Sequence, residues 1–77
     1  MHDVHSSPRR IYRVVGENVR AERKRAGFSQ EKLAEKAGLT RNYIGDIERA
    51  EKNVSLEALA KIARALRCRI GDLVRGG

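Results

Sequence analysis

Thr40, Arg41 and Asn42 stand in succession, and their side chains carry donors and acceptors that match the edges of DNA bases. Arg41 can donate two parallel hydrogen bonds to guanine O6 and N7, and Asn42 can pair with adenine N6 and N7. Thr40 can reach a phosphate oxygen or a thymine methyl. The same three residues could equally form an ordinary solvated helix face, so charge and neighbouring pattern must decide between the two.

Charge favours a polyanion. The chain has 77 residues and a formal net charge of +7. Clustered Lys and Arg attract phosphates and gain free energy by releasing condensed counterions. The bases are uneven: residues 1–27 hold seven Lys/Arg against three acids, residues 28–53 five against five, and residues 54–77 five against two. So short a chain encloses one core, which places function on the surface of one domain. With Phe28, Tyr12 and Tyr43 as the whole aromatic set, that core must come from Leu, Ile, Val and Ala.

Other chemistries find few reagents. His2 and His5 fall in a polar, aperiodic segment, MHDVHSSP, which reads as a flexible arm over residues 1–8, and two such histidines do not make a metal site. Cys68 has no second cysteine for an intrachain disulfide and reads as a small core or interface residue, with an intersubunit disulfide as the alternative. No Gly-rich phosphate loop or metal-ligand cluster occurs, so neither an enzyme nor a cofactor is expected. No apolar stretch suits a signal peptide or membrane span, which makes the cytoplasm the default location.

The elements that must position Thr40–Asn42 are helices. Ile11, Val14, Val15, Val19 and Ala26 recur at helical intervals over Arg9–Ala26, and Gly27 stops that helix. Ser29 caps a second helix with Leu33, Ala34 and Ala37 inward, which Gly38 ends. Thr40 caps a third, running to about Ala50, with Tyr43, Ile44 and Ile47 inward. Ser55 caps a fourth, whose apolar stripe comprises Leu56, Leu59, Ala60, Ile62, Ala63 and Leu66. Ile70, Leu73 and Val74 mark a short fifth helix, ended by Gly76. The expected fold class is all-α with five helices, residues 9–77 forming one domain.

Residues 29–50 contain two short helices joined by a Gly-bearing turn, the helix-turn-helix arrangement. Ala34 is small where the helices would cross, Gly38 can adopt the left-handed turn, and Ile44 and Ile47 can anchor the third helix while its other side stays free. Gln30, Ala34, Gly38, Ile44 and Ile47, followed by Glu48-Arg49 and SLEALAKIARAL, resemble the lambda-repressor-like (Cro/repressor, XRE) helix-turn-helix family from about Val15 to Val74. Within it, LTRNYIGDIER and the following EKNVSLEAL are most similar to the controller proteins of restriction–modification systems, a consensus shared with other short repressors and antitoxins.

The resemblance implies a third helix lying in the DNA major groove, with Thr40, Arg41, Asn42 and Asp46 as base-contacting candidates. Gln30, in the first turn of helix 2, can hold a phosphate with its amide, as the resemblance also implies. Lys52 and Asn53 are further phosphate candidates, or simply polar loop. Tyr43 either offers its hydroxyl to a phosphate or serves only as packing. The resemblance further implies a structural ion pair between Arg23 and Glu48. Gly45 costs about 1 kcal/mol within a helix, and either close DNA approach or neutral variation accounts for it.

One recognition helix reads too few base pairs for selectivity, so a homodimer on a palindromic double-stranded DNA operator is expected. Leu66, Ile70, Leu73 and Val74 are its candidate contacts, unless they close the monomer's own core. The resulting function is sequence-specific transcriptional regulation, with repression and RNA-polymerase-contacting activation both open. The alternative is an antitoxin-type protein-interaction module that neutralises a partner protein.

Overall fold

Three hydroxyl side chains start three of the five helices. Ser29, Thr40 and Ser55 each accept a hydrogen bond at 3.0 Å from the backbone N–H three residues on, those of Lys32, Tyr43 and Ala58. Each satisfies one of the N–H groups that a helix start leaves unpaired, a contribution of about 1 kcal/mol. The computed structural model describes residues 8–76. It contains α1 (Pro8–Arg25), α2 (Gln30–Ala37), α3 (Arg41–Glu48), α4 (Leu56–Leu66) and α5 (Ile70–Val74), with no strand among the described residues. The all-α, five-helix expectation holds. The expected arm lies outside the described residues except for Pro8, which opens α1.

The first four helices end in one way. After α2, the Leu39 N–H donates to the Ala34 carbonyl at 2.9 Å and the Gly38 N–H to that of Glu35 at 3.3 Å, with Gly38 left-handed at φ 71°. This is a Schellman motif, which turns the chain sharply and satisfies two terminal carbonyls. The same bonding pattern ends α1 at Gly27, α3 at Ala50 and α4 at Arg67. Ala50 and Arg67 hold the left-handed position without being glycine, at φ 61° and 57°. The side chain makes that conformation costly.

α1 packs against α3 and α5, while α2 packs against α3 and α4. Val19, Leu33, Ile44, Ile62 and Leu73, drawn from all five helices, are fully buried where they meet. The crossing of α1 with α3 depends on Gly16: a Cβ there would press on the backbone carbonyls of Ile47 and Glu48. On the opposite side of α1 from Gly16, the Asn18 side-chain amide donates to the carbonyls of Leu73 at 3.0 Å and Arg75 at 2.8 Å, closing the end of α5.

Four residues expected inside are outside. Ile11 lies on the turns of α1 that run past its crossing with α3 and is 53% exposed, and Ala26, after the last residue of α1, is also exposed. Leu56 opens α4 at the margin of its stripe and is 77% exposed, with Ala60 further off the same face. Leu66 and Leu73 are buried in the monomer core, which corrects the expectation that they contact a second copy. Ile70 and Val74 remain exposed.

Two substitutions test these local arguments by urea denaturation. Gly16→Ala is expected to lose about 1–3 kcal/mol through overpacking against backbone that cannot yield locally. Ala50→Gly is expected to gain about 0.5–1 kcal/mol, because relief of the left-handed strain exceeds the added freedom of the unfolded chain.

Candidate nucleic-acid interface

The carboxylate of Glu48, at the end of α3, accepts three hydrogen bonds. Arg23 Nε donates to Oε2 at 2.6 Å and Arg23 Nη2 to Oε1 at 3.1 Å, a two-pronged pairing of guanidinium and carboxylate. Gln30 Nε2 donates to Oε1 at 3.1 Å, and Arg23 Nη1 donates to the Phe28 carbonyl at 2.9 Å. The Arg23 and Glu48 side chains are only 11% and 3% exposed. One guanidinium therefore ties α1, the turn after it and α3 together, with α2 joined through Gln30.

This arrangement revises the role of Gln30. Its amide nitrogen, expected to hold a phosphate, gives one hydrogen to Glu48, which makes Gln30 a positioning group for α3 as well as a half-exposed residue at the start of α2. The amide nitrogen carries a second hydrogen.

From that anchor α3 runs back to its exposed start. Thr40 accepts from the Tyr43 N–H, leaving its own hydroxyl hydrogen available, and is exposed. Arg41 and Asn42 fill the first turn, both exposed, and neither side chain bonds to another described residue. Opposite them Ile44 and Ile47 are buried. Tyr43 packs against the core and stays half exposed, which fits its packing role.

Asp46 departs from expectation. Its carboxylate accepts from Arg49 Nη2 at 2.7 Å and pairs with Lys52 Nζ at 3.5 Å, with its side chain only 19% exposed. A carboxylate so placed steadies Lys52 over the loop, a structural partnership in addition to the expected base contact. Lys52 and Asn53 are exposed in that loop, as a phosphate contact requires. The Arg49 guanidinium, 3.1 Å from where a Cβ on Gly45 would stand, gives that glycine a neighbour within the chain.

Sequence reasoning passed over Gly16, Asn18 and the Phe28 carbonyl. The first two are invisible to hydrophobic periodicity, since one acts by having no side chain and the other by bonding across 55 residues. Cys68 is half-buried against the core, and burial, aided by Glu22 and Asp72, pushes its thiol above the ordinary range. Among the described residues, no cluster of three or more His, Cys, Asp or Glu side chains could hold a metal, and no helix is long and apolar enough to cross a membrane.

Two short helices, α2 and α3, joined by the left-handed turn at Gly38, with the inner side of α3 buried and its first turn exposed, define a helix-turn-helix domain. Residues 19–73 match the HTH_3 helix-turn-helix family model, and the chain belongs to that family. It is 45% identical over 64 residues to the control protein C.SmaI of Serratia marcescens, covering 83% of this chain and 76% of that one. Its structure is similar to the restriction-modification controller protein C.AhdI from Aeromonas hydrophila, with a TM-score of 0.79 and 40% identity over 80% of this chain and 94% of that one. It also resembles the P22 c2 repressor solved in complex with a synthetic operator, with a TM-score of 0.76 and 31% identity over 83% and 97% of the two chains.

Arg23→Ala and Glu48→Ala are each expected to cost about 3 kcal/mol, because each strands one buried charge. The double replacement should cost clearly less than the sum. Additive losses in a denaturation cycle would show that the two side chains act independently.

Proposed function

We propose that the protein is a sequence-specific double-stranded DNA-binding transcriptional regulator of the restriction–modification controller type, acting in the cytoplasm. The observation that carries this reading is the exposed first turn of α3, where Arg41 and Asn42 have base-edge chemistry and no structural duty. The relatives named above are a control protein, a restriction-modification controller protein and a repressor bound to an operator, which supports DNA binding over a protein-neutralising module.

In this mechanism α3 enters the major groove. Arg41 and Asn42 read bases, with Thr40 beside them. Lys52, Asn53, Tyr43 and the second hydrogen of Gln30 grip phosphates and fix the register. Two copies related by a two-fold axis would place their α3 helices about 34 Å apart, one helical turn of DNA. Ile70 and Val74, one turn apart on α5 and exposed, are the contacts that support such a dimer. The sign of regulation depends on where the operator lies relative to a promoter, and on whether the bound dimer also touches RNA polymerase.

Selection of bound duplexes from a random pool tests the reading as a whole. A palindromic consensus is expected, and recovery of no preferred sequence would defeat it. On the selected site, Arg41→Ala should lose about 1–3 kcal/mol and relax preference at one position of each half-site. Uniform weakening on every sequence would make Arg41 a phosphate contact instead. Ile70→Glu combined with Val74→Glu should sediment as a folded monomer with much weaker operator binding, and an unchanged dimer would remove α5 from the interface.

A further inference from the structure

The first turns of α1 break the local rules for a helix start. They carry Arg9, Arg10 and Arg13 and no acid in the first turn, at the end where unpaired N–H groups already make a helix electropositive. Arg9 and Arg13 are four residues apart and Arg10 and Arg13 three apart, spacings at which like charges on a helix repel. All three are exposed, so no core packing offsets this arrangement. A local rule broken without a packing gain points to function.

Folding brings these arginines to a particular place. Arg9, Arg10 and Arg13 line one shallow groove with Arg49 and Ala50. Arg9 and Ala50 also border a second groove, with Tyr12, Glu51, Lys52 and Asn53. The two grooves therefore adjoin at Arg9 and Ala50, and the second contains the loop residues proposed above to grip phosphates. The left-handed turn at Ala50 is what brings that loop back alongside α1. Arg49 and Lys52 both pair with Asp46, and Arg49 also with Glu51, so Arg9 and Arg13 bring to the groove positive charge from outside this loop network. This segment precedes residue 19, where the family match begins.

We infer that this groove binds DNA phosphates in continuity with those at Lys52 and Asn53, so that the interface runs from the loop after α3 along the start of α1. The inference rests on the DNA-binding reading above. Guanidinium groups suit the task because they present paired donors to phosphate oxygens. Since phosphates carry no sequence information, the groove adds affinity and leaves base preference unchanged.

The test compares the unsubstituted chain with the double variant Arg9→Gln/Arg13→Gln on the selected operator and on an unrelated duplex, over a range of salt. Loss of two phosphate contacts should make the slope of log K against log salt shallower by about 1.8. Affinity should fall by the same factor on both duplexes, while the thermal midpoint stays level or rises because repulsion at the helix start is relieved. A second pair, Lys61→Gln/Arg64→Gln on α4, removes the same net charge elsewhere and should leave the slope near that of the unsubstituted chain. An unchanged slope for the α1 pair, or an equal change for both pairs, overturns the proposal. A lowered midpoint with an unchanged slope overturns it too, in favour of a structural role. Failure of the unsubstituted chain to bind any duplex would overturn both this inference and the DNA-binding reading, and is visible before any variant is made.

Discussion

The pairing of Arg23 with Glu48 is the interaction on which the rest of this small domain depends. A helix of eight residues such as α3 has no independent stability in water, because nucleation costs more than so few hydrogen bonds return. α3 persists because its inner side is buried through Ile44 and Ile47 and its last residue is fixed by a forked ion pair. Apolar burial alone would hold the helix without fixing its rotation or its slide along α1. The directional bonds at Glu48 remove both freedoms, and the close crossing at Gly16 sets the depth.

The same economy governs the remaining framework. Short helices with few buried residues gain from sharp ends, since each cap and each Schellman turn satisfies backbone groups that a small core cannot shelter. Two of those turns use Ala50 and Arg67 in a conformation natural to glycine. At Ala50 the neighbouring positions include Arg49 and Lys52, both tied to Asp46, so the turn also arranges a local network of charge. Asn18 does for α5 what Arg23 does for α3, a side chain of α1 reaching an element far away in sequence. α1 thus acts as the beam to which both α3 and α5 are fastened.

Much of this was legible in the sequence because it follows from local chemistry. Ser29, Thr40 and Ser55 announce helix starts, Gly27 and Gly38 announce ends, and the apolar spacing of α2 to α4 identifies the buried sides. The ion pair was accessible through family resemblance, because no rule of spacing joins residues 23 and 48. What escaped depended on tertiary geometry. Gly16 acts through the volume that it lacks, and Leu66 and Leu73 turned inward because α5 folds back onto α1 and α4. Gln30 and Asp46 have polar side chains on short helices, and only the folded structure reveals that each already has partners. Arg41 and Asn42 were legible for the opposite reason, since nothing in the fold claims them.

That last feature bears on how such a domain changes over time. The start of α3 is held by the hydroxyl of Thr40 and its end by Glu48, so the two residues that follow the cap contribute little to the stability of the framework. Substitutions there can alter recognition with little penalty in folding, whereas substitutions at Arg23, Gly16 or Glu48 meet a steep one. Variation is thereby channelled to the surface proposed to choose a target. A lineage built on this scaffold can diverge in the sequences it recognises while each descendant inherits the same fold.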